Sequence, residues 1–330
     1  MSNSFISMET IKKILGGLVK SEDYAVFAPV RRGKTLDFAE ITDAMDIIIS
    51  DEVAYKSPKE ALLPQVEKLM SFKGGDIEEN IDDRKTIIFG AKPCDAQALR
   101  VLNAILASGK FEDAFYKRRF ENSVLITVGC IAEKPGCFCS RRGVDKAFSD
   151  FSDVMLNESG DGFMVSFLSE KGKTFLDGFE ETKGIEATPR EAAATFENII
   201  ELDKDIDDSK MFDIIDWEKA TEICQGCGMC TFICPSCHCF DIKDVTEHGE
   251  TNRYRCWDSC IYPKFTLHAS GHNPRPAIKE RYRQRVLHKY LYINKNFGYT
   301  ACTGCGRCIR SCPAGMNIKK VVESIMEVVQ

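Results

Sequence analysis

The chain has 330 residues, 44% of them hydrophobic and 28% charged, with a formal net charge of −6. That length accommodates two domains with separate cores, and the composition is that of an ordinary soluble globular protein. No apolar run approaches the roughly 20 residues that span a bilayer, and the negative balance argues against a nucleic-acid binder.

In chain order, the first 23 residues read as an amphipathic helix followed by charge. They lack the apolar core and small-residue cleavage site of a secretory signal, so a cytoplasmic protein is expected. Short apolar runs at residues 24–30, 86–90 and 123–128 have the length of strands. Residues 58–70 and 96–106 have helical spacing of Leu, Val and Ala. Residues 153–175 read as a β-hairpin pair, with Ser159-Gly160-Asp161-Gly162 as a turn. After Trp217 the pattern changes to helices and metal loops. The expected architecture is an α/β N-terminal domain (1–215) followed by a helical, cysteine-rich C-terminal domain (216–330).

Sixteen cysteines dominate the composition. A reducing cytosol disfavours disulfides, so metal binding is the expected use of clustered thiols. The chain contains one internal repeat, Cys224–Pro235 (CQGCGMCTFICP) and Cys302–Pro313 (CTGCGRCIRSCP), at a constant offset of 78 residues. Three cysteines spaced by two residues wrap one cluster, and the fourth, followed by proline, reaches the other. By that rule Cys224, Cys227, Cys230 and Cys312 hold cluster 1, and Cys302, Cys305, Cys308 and Cys234 hold cluster 2. Gly226, Gly228, Gly304 and Gly306 let backbone amides approach sulfide and thiolate. Zinc would require paired CxxC halves, which the terminal Cys-Pro fits poorly. Cys230, Cys234 and Cys237 also match the CxxxCxxC spacing of radical S-adenosylmethionine enzymes, but the second repeat lacks a counterpart of Cys237. Residues 278–292 read as a helix, and a long helical insertion between the motifs favours an α-helical ferredoxin domain.

Residues 251–300 hold ten Lys or Arg against two acids, so this stretch carries +8 and the rest −14. A solvated helix face, compensation of anionic clusters and docking of an acidic partner all account for such a block. Upstream, Cys94 and Cys130 each follow an expected strand, and Cys137 and Cys139 follow on the same loop as Cys130. If the strands are parallel, their C-terminal edge is a site where four thiols could hold a third 4Fe–4S cluster. Cys237, Cys239, Cys256 and Cys260 form either a fourth site or thiols beside the clusters, and spacing does not decide between these. No dinucleotide fingerprint, nucleophile elbow or phosphate loop is visible, which favours a relay with no catalytic residues of its own.

Several stretches together resemble the iron–sulfur electron-transfer family shared by anaerobic sulfite reductases and cytoplasmic sulfhydrogenases, where it forms the β subunit, with related heterodisulfide reductase-linked flavin oxidoreductase subunits. They are Lys56-Ser57-Pro58, Lys92-Pro93-Cys94-Asp95, Cys137-Phe138-Cys139, Cys234-Pro235-Ser236-Cys237-His238-Cys239-Phe240-Asp241, Trp257-Asp258-Ser259-Cys260 and Gly271-His272-Asn273-Pro274-Arg275. The resemblance implies an electron-transfer subunit of an anaerobic oxidoreductase complex. Its expected partners are a catalytic subunit of the sulfite reductase, hydrogenase or heterodisulfide reductase type and a flavin- and NAD(P)-binding reductase subunit, with no nucleic acid and no membrane span. It also supports the third cluster. Ser140-Arg141-Arg142-Gly143 departs from the family pattern and changes the charge beside that cluster. The alternative is that the N-terminal cluster or pocket itself reduces a sulfur substrate.

Overall fold

The computed structural model describes residues 5–108, 111–182 and 194–329, and the first four residues of the expected N-terminal helix lie outside them. The chain forms two compact units. The first comprises Met1–Leu63, Ile81–Lys134 and Gly143–Phe196; the second comprises Pro64–Asn80, Pro135–Arg142 and Glu197–Gln330.

The first unit is built on a seven-stranded sheet in the order Phe5–Ser7, Gly162–Phe167, Val154–Ser159, Ser123–Val128, Lys85–Ala91, Tyr24–Arg32 and Thr35–Glu40. Its four central strands, from Val154–Ser159 to Tyr24–Arg32, run parallel. Each carries a buried apolar run, as strands covered on both faces require, and Val154–Ser159 and Tyr24–Arg32 end in exposed polar residues. Val26, Ile87, Phe89, Ile126 and Val154 form the centre of the core, against Ile11, Ile14, Leu15 and Leu18 of helix Met8–Val19. Helix Pro93–Leu106 starts two residues after its strand, with proline in its first turn, where a missing N–H costs nothing. The hairpin expected at 153–175 forms with strands Val154–Ser159 and Gly162–Phe167 and then gives way to helix Glu170–Asp177.

The helix expected at residues 58–70 does not form. Pro58–Ala61 is a single 3₁₀ turn, and the chain then becomes strand Val66–Lys73. Pro64 stands between them, and its ring removes a donor and disfavours helix at Leu63.

The second unit contains a four-stranded antiparallel sheet in the order Phe240–Glu247, Glu250–Trp257, Val66–Lys73 and Asp76–Glu79. The spacer between the two cysteine repeats is therefore partly strand, where the sequence pattern suggested helices and loops. Its hairpin turns on His248-Gly249, both at positive φ (52° and 82°), as a two-residue turn of the primed type requires. The helix expected over 278–292 forms as Ile278–Leu287 and loosens into a π turn at His288–Tyr292 before Ile293–Phe297. Tyr282, Val286, Leu287, Tyr290 and Leu291 pack with Ile318, Val322 and Ile325 from helix Ile318–Val329. Against that core lie Cys224, Cys230, Cys302, Cys308 and Cys312.

Candidate metal centre

Each repeat folds into a loop followed by one helical turn, Met229–Phe232 in the first and Arg307–Arg310 in the second. The paired glycines share left-handed conformations, with φ of 65° and 74° at Gly226 and Gly228 and 68° and 72° at Gly304 and Gly306. Only glycine adopts these routinely. Space is a second reason for glycine. A Cβ on Gly304 would stand 2.6 Å from the Phe138 backbone, one on Gly306 2.4 Å from Gly136 O, and one on Gly228 2.7 Å from the Tyr262 ring. The close approach at three of these glycines is thus made by the protein itself.

The loops bring the repeat cysteines together across the motifs. Cys312 and Cys227 lie close enough to Cys224 to push its thiol up, and Cys234, Cys302 and Cys305 do the same to Cys308. Cys230 lies near Cys224 and Cys227, and near Cys234 as well. Backbone amides point at two of the sulfurs: Gly226 N–H donates to Cys224, and Met316 N–H lies 3.2 Å from Cys312 Sγ. Burial pushes the thiols of Cys224 and Cys230 up, and that of Cys308 up to about 12. Cys234 goes the other way. A hydrogen bond from Cys237, with Lys289 and Arg285 nearby, holds it well below the ordinary thiol range.

Two cations from the basic block are buried among these thiols. Arg285 Nη2 donates to Cys230 O at 3.0 Å, and Lys289 Nζ donates to Ser236 Oγ at 2.8 Å. Burial works against both charges; the thiols of Cys230, Cys308 and Cys237 around Arg285, and of Cys234, Cys237 and Cys302 around Lys289, more than offset it. Two other cations of the block serve structure. Arg255 forms a buried ion pair with Glu67, and Arg281 binds the carbonyls of Ile261, Arg275 and Pro276. Arg253, Lys279 and Lys295 make exposed ion pairs with Asp244, Glu218 and Asp208.

The donor set suits an iron–sulfur core. Arg285 Nε and Arg142 Nη1 are buried with no hydrogen-bond partner. Buried donors left in this way are costly, and the sulfides and thiolates of a 4Fe–4S core are the acceptors they lack. Among the described residues no three His, Cys, Asp or Glu side chains close around a point tightly enough for a single ion. A four-iron core is broader and holds its thiolates further apart.

The remaining expected ligands divide between the units. Cys94 is buried in the first turn of helix Pro93–Leu106, and Cys130 follows strand Ser123–Val128. These two strands are parallel neighbours, so both cysteines leave the same edge of the first unit's sheet. Cys137 and Cys139 belong to the second unit, on a segment bound to the second repeat: Phe138 N donates to Gly304 O at 2.8 Å, and Arg310 Nη1 lies 3.3 Å from Cys137 Sγ. Arg142 lies at the second repeat too, with Nε 3.0 Å from Cys302 O and its guanidinium 5.0 Å from the Tyr290 ring centre. The cavity beside Lys92 and Asp95, lined also by Pro29, Leu36, Phe38 and Gly90, has room for little more than a water. That is too small for a substrate.

Of the four cysteines whose spacing was uninformative, Cys237 is the donor to Cys234 and keeps its proton. Cys260 is hydrogen-bonded to Cys239 and is likewise pushed up. Cys256 lies within strand Glu250–Trp257, opposite Asp241 and Val66. Sequence spacing missed Arg285, Lys289 and Ser236; the signal was their place in the +8 block and two residues beyond Cys234.

Residues 223–316 match a family described as the 4Fe-4S dicluster domain. Over 315 residues the chain is 30% identical to sulfhydrogenase 2 subunit beta of Pyrococcus furiosus, an alignment covering 92% of each chain. No solved structure matches the chain significantly. With that identity along nearly its whole length, and with the 4Fe–4S domain in place, the chain belongs to the family of sulfhydrogenase β subunits.

Proposed function

We propose that this protein is a non-catalytic electron-transfer subunit of a cytoplasmic oxidoreductase complex in an anaerobe. It relays single electrons between a flavin- and NAD(P)-binding partner and a hydrogenase-type catalytic subunit. Cys224, Cys227, Cys230 and Cys312 hold one 4Fe–4S cluster, and Cys302, Cys305, Cys308 and Cys234 hold the second. A third on Cys94, Cys130, Cys137 and Cys139 rests on sequence and family resemblance alone.

The observation that carries the reading is the crossed neighbourhood of the thiols, Cys312 beside Cys224 and Cys234 beside Cys308. Bound clusters would supply one-electron chemistry. The chain's own part is to exclude water, donate amide hydrogen bonds to sulfur and set the local charge, the means by which proteins tune cluster potentials. No helix among the described residues is long and apolar enough to cross a membrane. Anaerobic affinity purification from the native cells tests the assignment. A flavoprotein and a hydrogenase-type subunit should co-purify, and recovery as a lone chain that reduces a sulfur substrate would contradict it.

A further inference from the structure

The two proposed cluster sites do not share their cations equally. Arg285 lies near both sets: its Nη2 donates to Cys230 O of one at 3.0 Å, and Cys308 of the other is close by. Lys289 stands one helical turn further on. The ligand thiols that act on it, Cys234 and Cys302, belong to the same set. Two more cations reach that set through backbone carbonyls: Arg142 Nε is 3.0 Å from Cys302 O and Arg310 Nη2 is 3.2 Å from Cys305 O.

Lys289 is fixed where it acts. Its Nζ donates to Ser236 Oγ at 2.8 Å, Ser236 Oγ donates to the Ala301 carbonyl, and Ala301 N donates back to the Lys289 carbonyl at 2.9 Å. This loop joins Lys289 to residues lying two after Cys234 and one before Cys302, both ligands of one set. The π turn His288–Tyr292 carries it, and such turns often mark functional positions. Lys289 is 3% exposed, so solvent screens its charge little.

Resting on the two-cluster reading above, we propose that Lys289 makes the cluster on Cys302, Cys305, Cys308 and Cys234 the higher-potential member of the pair, the place where an incoming electron comes to rest. Reduction adds one negative charge to a core that four thiolates already make anionic. A fixed cation in a low-dielectric interior stabilises the reduced form more than the oxidised one. The side chain conducts nothing; it sets which cluster fills first.

The test is an anaerobic redox titration, followed by electron paramagnetic resonance, of the full chain loaded with iron and sulfide. The two clusters are expected to give two one-electron midpoints, the upper identified by its loss in Cys305→Ala and the lower by its loss in Cys227→Ala, and a third cluster would add its own. In Lys289→Met the upper one falls, so that at the wild-type upper midpoint the ratio of reduced to oxidised cluster drops roughly tenfold, about 59 mV for one electron. The lower midpoint moves less, and Lys289→Arg restores the upper. An unmoved upper midpoint in Lys289→Met with full iron, or movement of the lower one alone, overturns the proposal. Should Lys289→Met fail to load iron, Arg142→Gln carries the same test with a smaller expected fall of the same midpoint, and no fall overturns it. A wild-type chain that forms no 4Fe–4S cluster overturns both this inference and the reading beneath it, whereas two clusters indifferent to Lys289 and Arg142 overturn the inference alone.

Discussion

Gly304 and Phe138 touch through their backbones: Phe138 N donates to Gly304 O at 2.8 Å, and a Cβ on Gly304 would stand 2.6 Å from the Phe138 carbonyl. Gly304→Ala therefore meets both a left-handed φ and a steric block, whereas Gly315→Ala, at φ 76° with open space around it, meets the backbone cost alone. The expected losses are about 1 kcal/mol for Gly315→Ala and clearly more for Gly304→Ala. Thermal unfolding of the two variants checks the order, and equal losses would contradict it.

The buried pair Arg255–Glu67 predicts an asymmetry between single and double substitution. Both side chains are 3% exposed, so Glu67→Ala leaves an uncompensated buried cation at a cost of about 3–5 kcal/mol. Arg255→Met with Glu67→Leu removes both charges and should lose much less. Denaturant unfolding of the two proteins measures the difference.

His288 gives the fold an acid sensitivity. Packing away from water, with His238, Lys289 and Arg275 nearby, pushes its pKa down to about 3, below the ordinary 6.5. The unfolded chain therefore binds a proton that the folded chain refuses, and stability falls as pH drops from about 6.5 toward 3. The slope from this residue is at most about 1.4 kcal/mol per pH unit. His288→Gln should flatten the stability profile over that window and leave it unchanged above pH 7. An unaltered profile would show that the residue does not titrate this way.

The crossed ligand rule is tested most simply at Cys234 and Cys312. Each sits in one motif and is proposed to serve the cluster of the other. Cys234→Ala should disturb the signal that Cys305→Ala disturbs, and Cys312→Ala the one that Cys227→Ala disturbs. Comparing the resonance spectra of the four variants checks this, and disturbance within each motif instead would break the rule.

Spacing alone marked the cysteines, glycines and prolines of the two repeats, and the fold brings Cys224 beside Cys312 and Cys234 beside Cys308. Strand-length apolar runs likewise marked the central parallel strands of the first unit. What spacing could not reveal depends on contacts distant in sequence. Residues 58–70 carry helical periodicity, yet Pro64 breaks it and Val66–Lys73 pairs with a hairpin nearly 190 residues away. The partition of ten clustered cations into Arg255 and Arg281 as structural, Arg285 and Lys289 as thiol neighbours, and the rest as exposed or half-buried was hidden for the same reason. Charge runs show composition, and burial is decided by packing.

The most direct test of the account is the iron and sulfide content of the full chain reconstituted under anaerobic conditions, read with absorbance near about 400 nm. The account predicts a brown protein with about 8 iron per chain, or about 12 with the third cluster, falling by about 4 in Cys305→Ala. A colourless chain that binds zinc, or iron content indifferent to Cys305, would contradict it.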